Sequence, residues 1–428
     1  MLISPVSAQV EAFPLFGTQR SDTEPVWRDQ AAGASSLNLD SDASNGEHTD
    51  QNVLMELDIP GLVSLSKVSG AGVVYGAAAS QGYGREHNFD QKATSGSVAV
   101  LEPYAGVYFA GHRTHFILEY HPIVDLETRD VWDGRVLQRA GFNSGVLLSR
   151  RWTWYLSGRG TYGPAVLQDI GLLSVGLQTY ALPTDTILNV SGSTGLVWRR
   201  SLRHQFSFTV GDSYSSIQHG PSYSDMTARV QSLNGFGSRD SNWFVYADTT
   251  RYSFATDCTR VGFGAGVAVG LGTRTRVGVE AGPDFTVGHC VTPLHATFGG
   301  FLHQRLSNWT AVTLSAKRRL VEPTLLQSSY VDTVSGVLQQ KTSRTTYLTA
   351  GASYIQGSST PGQPLPGYRG FLFGSQFHWR VSNTASLIGS YQYFKRDSNS
   401  QTFPDRHSWV FFTFLWHPKG TTEHVGYE

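Results

Sequence analysis

Residues 258–286 alternate strictly between two kinds of side chain, and this alternation constrains the fold more than any other feature of the chain. In the first half, one parity is apolar: Val261, Phe263, Ala265, Val267 and Val269. The other parity is charged or very small: Arg260, Gly262, Gly264, Gly266 and Ala268. The alternation resumes after Leu271-Gly272, where Thr275, Val277, Val279 and Ala281 oppose Arg274, Arg276, Gly278, Glu280 and Gly282. Because successive side chains of a strand point to opposite faces, the segment predicts a two-stranded hairpin with one apolar and one polar face.

The length of these two strands and the overall composition indicate a membrane environment. Each strand is about ten residues or longer, the length that a tilted strand needs to cross a bilayer. Charged residues make up only 15% of the chain, against about 25% in typical soluble proteins. Mean hydropathy is −0.21, and the absence of a run of about 18 apolar residues excludes helical spans. We therefore expect a transmembrane β-barrel hairpin, with its apolar face in lipid and its charged face in a water-filled lumen.

Similar alternation recurs from residue 66 to 417, and no helical stripe of comparable length accompanies it. The predicted fold is all-β: a single transmembrane antiparallel up-and-down β-barrel of about 16 strands. Region 321–356 could hold one strand or an extra hairpin, which leaves roughly 14 to 18 strands open. Short connections such as Leu271-Gly272 alternate with longer loops, of which the clearest are 163–183, 320–342 and 357–370. Short turns on one rim and long loops on the other are typical of outer-membrane barrels, with the short turns in the periplasm.

The two ends of the chain differ from the barrel region. Residues 1–8 read as the remnant of a signal peptide, with Val6-x-Ala8 as a small-residue cleavage site; a chance match is the alternative. Residues 9–65 form an acidic segment that we expect to be mostly disordered. Residues 1–60 carry ten acidic and two basic side chains, which leaves 31 basic and 23 acidic residues, a net +8, in the remainder. Residues 418–428 form a polar C-terminal tail.

The chain has two cysteines, Cys258 at the start of the first hairpin strand and Cys290 just beyond the second. Both would lie at the same rim, so we predict a disulfide bond, which suits an oxidising compartment. Two unpaired thiols are the alternative. The cysteine and histidine spacing predicts no zinc site, and we expect no metal and no cofactor.

Tryptophans lie at the ends of predicted strands, where an interfacial aromatic girdle would place them. The predicted girdle residues are Trp152, Trp154, Trp243, Trp309, Trp379, Trp409 and Trp416. The alternative is aromatic packing in the core of a soluble β-sandwich or propeller. A soluble fold would have to bury every apolar strand face, and no repeat of equal length indicates propeller blades.

Catalytic and nucleotide-binding motifs are absent from the pattern. Gly262-x-Gly264-x-Gly266 lies inside a predicted strand, whereas a phosphate-binding loop follows a strand and opens a helix. Histidines are scattered and no motif surrounds a nucleophilic serine, so an outer-membrane hydrolase is the least favoured reading and we expect no enzyme activity.

Charged residues on the polar parity are the best functional candidates. The predicted pore-lining residues are Arg159, Arg260, Arg274, Arg276, Glu280, Lys317, Arg319 and Arg380. Charged rings inside a pore select among ions and polar solutes, and an excess of basic residues favours anions. Cross-strand pairing of these charges, which would hold the register in a closed lumen, is an equally good interpretation.

Together these features resemble bacterial outer-membrane β-barrel proteins of the porin-like kind. The resemblance covers most of residues 66–417 and is one of architecture. The last predicted strand carries Phe412, Phe414 and Trp416, similar to the terminal aromatic signal that the barrel-insertion machinery reads in this family, but a polar tail follows.

The resemblance implies an outer-membrane channel, either porin-like or an export pore, that passes small polar or anionic solutes or a glycan. The alternative is an occluded barrel whose long loops bind a ligand or partner. Implied partners are outer-membrane lipid and lipopolysaccharide, the insertion machinery and the transported solute. We expect no nucleic acid, and an oligomer is left open.

Overall fold

The computed structural model describes residues 70–87, 94–111, 113–126, 136–164, 186–201, 203–218, 222–236, 241–253, 257–272, 274–288, 294–321, 329–343, 345–358, 368–382, 384–398, 405–416 and 418. The predicted signal remnant 1–8, the acidic segment 9–65, residues 165–183 of one predicted loop and the tail beyond Pro418 lie outside these residues. Within the described residues, no helix is long and apolar enough to span a membrane.

Nineteen strand segments form one continuous antiparallel sheet. Their bounds are β1 Gly70–His87, β2 Thr94–Ala110, β3 Thr114–Tyr120, β4 Ile123–Asp125, β5 Val136–Ser149, β6 Trp152–Pro164, β7 Thr186–Ser201, β8 His204–Ile217, β9 Ser222–Gly235, β10 Asn242–Ser253, β11 Asp257–Leu271, β12 Thr275–Gly288, β13 Leu294–Arg305, β14 Thr310–Val321, β15 Ser329–Lys341, β16 Thr346–Ser358, β17 Tyr368–Ser382, β18 Ala385–Ser398 and β19 Asp405–Trp416.

The sheet closes on itself because β1 pairs with both β2 and β19. Ala77 lies opposite Trp416, and the pairing continues to His87 opposite Arg406. On the inner face of this seam, the hydroxyls of Ser80 and Thr413 form a hydrogen bond of 2.8 Å. The predicted all-β, antiparallel, closed barrel is therefore confirmed.

The barrel has 18 strands, so the expectation of about 16 was wrong. β3 and β4 count as one strand, since both pair with β2 and β5 and are separated only by His121 and Pro122. The extra hairpin left open for region 321–356 is present as β15 and β16, and β15 occupies most of the predicted loop 320–342. The strand is difficult to recognise because its outer face carries Asp332, Gly336 and Gln340 beside the apolar Val334 and Leu338.

The two rims of the barrel differ in the length of their connections. On one, the short-turn rim, connections between strands are two to six residues long. On the other, the long-loop rim, they extend to the 21 residues between β6 and β7.

Several short turns share one local device, in which a serine oxygen accepts a hydrogen bond from the backbone N–H two residues later. The distances are 3.1 to 3.2 Å, and the serines are Ser149, Ser201, Ser307, Ser343 and Ser382. Serine hydroxyls stabilise tight turns in this way by hydrogen-bonding to the local backbone. The turn between β11 and β12 instead uses Gly272, whose φ of 73° favours glycine.

Candidate functional site

The candidate site is the inner face of the barrel, where polar side chains are buried. β10 illustrates the alternation: Trp243 and Val245 are about half exposed on the outer face, whereas Phe244, Tyr246 and Asp248 are buried on the inner face. The hairpin of β11 and β12 has the predicted orientation, with Phe263 and Val279 outward. The barrel therefore has an apolar outside and a largely polar inside, as a membrane barrel requires.

Four charged side chains from β9 to β12 form one alternating series of ion pairs across the inner face. Arg229 Nη1 donates to Asp248 Oδ2 at 2.9 Å. Arg260 Nη2 lies 3.1 Å from Asp248 Oδ1, and Arg260 Nε donates to Asp284 Oδ2 at 2.8 Å. Two arginines balance two aspartates, and the Arg229 guanidinium also stacks 3.7 Å above the Tyr246 ring. For Arg260, cross-strand pairing is thus the interpretation that the geometry supports.

Gly262 creates the space that this ion network occupies. It lies opposite Asp248 on β10 and opposite Asp284 on β12. A Cβ atom at Gly262 would lie 2.5 Å from Asp248 Oδ1 and 2.6 Å from Asp284 Oδ1. The next glycines of the stripe, Gly264 and Gly266, lie beneath the rings of Tyr246 and Phe244. The glycines at alternate positions of β11 therefore leave room for side chains of the neighbouring strands, which lie flat across β11.

Two more rows place a glycine between an acid and a base on adjacent strands. In the first, Gly141 of β5 pairs with Glu119 on one side and Arg159 on the other. In the second, Gly299 of β13 pairs with Glu280 and with Lys317. In both rows a Cβ on the glycine would lie 2.9 Å from the glutamate Oε1. Each glutamate side chain therefore extends over the glycine, in the direction of the strand that carries the basic residue.

The structure places most of the predicted pore-lining residues on the inner parity of their strands: Arg159, Arg260, Arg276, Glu280, Lys317 and Arg380. Arg260, Glu280 and Lys317 line one cavity together with Tyr246, Thr297, Phe298 and Arg318. Arg276 is buried on the short-turn side of that cavity, 5.7 Å from the Phe301 ring centroid.

Two of the predicted pore-lining residues differ from the rest. Arg274 lies in the exposed turn between β11 and β12 and not on the inner wall, because β12 begins only at Thr275. The side chain of Arg319 is outside the described part of the structure.

The inner face opposite this charged wall is apolar near the long-loop rim. Val98, Val100, Ile123 and Leu137 are each at most 1% exposed, and Trp409 and Phe411 pack against them. The two rings lie over Gly84 and Gly82 of β1, which have no side chains to obstruct them. The inner surface is therefore amphipathic. It has a charged wall on β9 to β14, a second charged row on β3, β5 and β6, and an apolar patch around the β19–β1–β2 seam.

Tryptophans form an outward belt at the short-turn rim. Trp152, Trp243, Trp309, Trp379 and Trp416 are 39% to 48% exposed, and Trp154 shares their face. Trp198, which was not predicted, stacks on Trp152 with ring centroids 5.9 Å apart. Ten residues separate Trp152 from the exposed Tyr162 on the same strand, which is about 25 Å of height for a strand tilted by about 40°. This matches the apolar band of an outer-membrane barrel, about 25 Å tall.

Trp409 does not belong to this belt, so its assignment to the girdle was wrong. Its neighbours Val410, Phe412 and Phe414 point outward, whereas Trp409 shares the inner parity and stacks on Phe411 at 5.5 Å. Both faces of β19 carry aromatic residues, so residue type alone does not show which rings of this strand point inward.

Cys258 is buried at the start of β11, at the long-loop rim, and is disulfide-bonded. Cys290 lies outside the described residues, and the pairing between the two stays a prediction.

The comparisons with known proteins are limited to architecture. No family model matches the chain, and no curated protein matches it. Among solved structures, it is similar to the siderophore receptor PirA from Acinetobacter baumannii, with 6% identity and a TM-score of 0.45 over 82% of this chain and 81% of PirA.

The chain is also similar to a mutant of the ferric enterobactin receptor PfeA from Pseudomonas aeruginosa, with 7% identity and a TM-score of 0.45 over 82% of each chain. For the FrpB iron transporter from Neisseria meningitidis the values are 7% and 0.46, over 77% of this chain and 63% of FrpB. Likeness at this level assigns no function. The closed barrel with its apolar outer band and aromatic belt is by itself that of a bacterial outer-membrane protein.

Proposed function

We propose that this protein is an outer-membrane transport protein that passes small polar or anionic solutes, or a glycan, along the charged inner wall of β9 to β14. Two observations together carry the proposal: the barrel has 18 strands, and its inner face is polar. Barrels of about 16 to 18 strands are wide enough to leave an aqueous channel inside, whereas about eight strands are filled by their own side chains. We orient the barrel with its short-turn rim in the periplasm, as is typical of outer-membrane barrels.

Lys317 and Arg276 on this wall, and Arg380 on the inner face of β17, are the basic residues that we assign to solute selection. The Arg229–Asp248–Arg260–Asp284 series carries no net charge, since each arginine is matched by an aspartate. Arg276 and Arg380 lie on the short-turn side of this series, and Lys317 lies beside Arg260 at the cavity. Positive side chains on the inner wall of a pore favour anions.

Conductance in planar bilayers tests the proposal, and the chain offers a matched control. Lys317 points inward and lines the cavity, whereas Arg251 is exposed on the outward parity of β10. Lys317→Gln should shift the reversal potential in a salt gradient toward cations, whereas Arg251→Gln should leave it unchanged. Discrete channels with the same selectivity in all three proteins would contradict the role of Lys317. If purified, heat-modifiable protein forms no discrete channels, the transport proposal itself is wrong.

One observation favours a second candidate, an occluded barrel that binds a ligand or partner through its long-loop rim. Inner-face residues such as Ile123, Leu137 and Asp284 are at most 1% exposed. A wide, water-filled lumen would leave more of the inner wall accessible. An absence of conductance, combined with loss of ligand capture after exchange of the 359–367 connection, would favour this candidate over a channel.

A further inference from the structure

Two prolines face each other across neighbouring strands in the wall of the barrel. Pro103 lies on β2, and Pro122 lies in the short break between β3 and β4. The ladder between these strands keeps one register from end to end, and that register places the two prolines directly opposite each other. Within the described strands, pairing is interrupted only here, over residues 102–104 and 121–123.

The facing prolines remove two hydrogen bonds from this ladder. Along an antiparallel ladder, pairs that exchange two N–H···O bonds alternate with pairs that exchange none. Near the short turn, the Gly111 N–H donates to the Thr114 carbonyl at 2.7 Å. Counting from this contact in steps of two residues makes Pro103 and Pro122 a hydrogen-bonded pair, yet proline has no N–H. The carbonyl oxygens of both prolines therefore receive no donor from the residue that they face.

The interruption lies inside the apolar band of the outer surface. Pro103 is seven residues from Ala110, where β2 ends at the short-turn rim, which is about 18 Å of height for a strand tilted by about 40°. Ala105 and Tyr120 flank the prolines on the lipid side and are exposed. Because a backbone carbonyl without a donor is costly in hydrocarbon, a donor from outside the wall is needed at this point.

Directly behind the prolines, on the inner face, two buried side chains supply further acceptor atoms. Glu119 is 7% exposed and His121 is 6% exposed. Glu119 Oε2 lies 4.0 Å from His121 Nε2, and neither atom forms a hydrogen bond within the described residues. The ring of Tyr104, the residue after Pro103, stacks on His121 with ring centroids 5.4 Å apart. A carboxylate oxygen accepts, and Nε2 accepts in one of the neutral tautomers of histidine.

The charged side chains around these acceptors include one more acid than base. The acids are Glu102, Glu119 and Asp125, and the bases are Arg139 and Arg159. All of them except Arg159 are at most 8% exposed. Buried charges are stable in proteins only when an opposite charge accompanies them, so this part of the wall favours a ligand with a single positive charge.

We propose that the interruption between Pro103 and Pro122 is a lateral portal that binds the ammonium group of an amphipathic amine, with its hydrocarbon chain along the outer face of β2 and β3. A primary ammonium has three N–H donors and no acceptor, which fits a site where backbone carbonyls, a carboxylate and an imidazole all lack donors. The Tyr104 ring offers a cation–π contact beside them. The portal opens sideways through the wall, so it is independent of conduction along β9 to β14.

Photoaffinity labelling of the full-length protein in lipid vesicles tests the portal. The probe is hexadecylamine that carries a diazirine close to its amine. After illumination, peptide mapping should find most of the label on β2 and β3. Palmitic acid with the diazirine in the same place is the matched probe, and it should label the outer face of the barrel without this preference.

Two variants separate the acceptors from the wall. Glu119→Gln removes the buried carboxylate, and half-maximal labelling of β2 and β3 should then need on the order of tenfold more amine. Pro103→Val/Pro122→Val restores both N–H donors, so it should close the ladder and reduce this labelling to the level of the other strands. Pro283→Val is the matched control, because it replaces a proline of β12 and should leave the labelling of β2 and β3 unchanged.

Heat-modifiable migration confirms that each variant is folded. If the double proline variant fails this check, Pro103→Val alone restores one donor and should reduce the labelling in part. Diffuse labelling of the wild type by the amine, or equal labelling of β2 and β3 in the wild type, Glu119→Gln and the proline variant, would overturn the portal. An equal preference of palmitic acid for β2 and β3 would overturn the assignment to an ammonium group.

Discussion

At the scale of single residues, the inner wall is built from charged side chains that lie over glycines. Gly141, Gly262 and Gly299 each have a carboxylate above them and charged neighbours on both adjacent strands. A strand carrying glycine at these points lets long side chains lie flat and meet across it, at the cost of packing within the strand itself. A substitution at one of these glycines should therefore lower stability mainly by displacing the charged side chains above it.

We expect Gly262→Ala to lower the free energy of unfolding by about 1 to 3 kcal/mol, the usual effect of overpacking. The new methyl group would displace Asp248 and Asp284 from Arg260, since its distances to the two carboxylates would be 2.5 and 2.6 Å. Gly160→Ala is the matched control, because its nearest neighbour would be 3.8 Å away. Urea unfolding in lipid vesicles measures both, and equal stability of the two variants would refute the role assigned to Gly262.

Arg260→Gln should destabilise the barrel by about 3 to 5 kcal/mol, since it leaves two buried carboxylates without their shared cation. Asp248 and Asp284 have side chains that are 5% and 1% exposed. Adding Asp284→Asn should recover part of the loss, because Asp248 still pairs with Arg229 and the one excess negative charge is then removed. The same unfolding assay tests the cycle; strictly additive effects of the two substitutions would argue against a coupled network.

At the scale of elements, the parity of each strand was predictable where one face is apolar along its length. The hairpin of β11 and β12 has the predicted faces, but its turn spans residues 272–274 and so includes Arg274, which was predicted to lie on a strand. β15 was missed because Asp332 and Gln340 interrupt its outer face, and the Arg318–Asp332 pair that accommodates Asp332 depends on the neighbouring strand. The inward position of Trp409 depends on Gly84 of β1, which is its partner only because the chain ends meet. These two features depend on which strands pair in the barrel, and the pattern of residues within a single strand does not reveal that pairing.

The β11–β12 hairpin should be closed at its open end by the predicted Cys258–Cys290 disulfide. Peptide mapping without reduction should recover a fragment that links the two cysteines. A loop of this size lowers the entropy of the unfolded chain enough to contribute about 3 to 4 kcal/mol, so Cys258→Ser should unfold at lower urea concentration than the oxidised wild type. Recovery of free Cys290 thiol from non-reduced protein would contradict the pairing.

At the scale of the whole molecule, the outer surface has two boundaries that lie about one membrane thickness apart. Tryptophans occupy the short-turn boundary, and exposed tyrosines such as Tyr83 and Tyr162 occupy the long-loop boundary. Both depend on the closure of β1 against β19, which brings residues 333 positions apart into contact at Ser80 and Thr413. The apolar inner patch also depends on this seam, because it joins Trp409 and Phe411 of β19 with residues of β2, β4 and β5.

Cross-linking across the seam tests the closed barrel most directly. In a background without Cys258 and Cys290, Ser80→Cys/Thr413→Cys should oxidise to an intramolecular disulfide that changes the migration of the denatured chain. Ser80→Cys/Thr349→Cys, with the second cysteine on the inner face of β16, should remain reduced. Efficient cross-linking of the first pair alone is the result that the closed 18-stranded barrel predicts. A first pair that stays reduced in folded, heat-modifiable protein would contradict it.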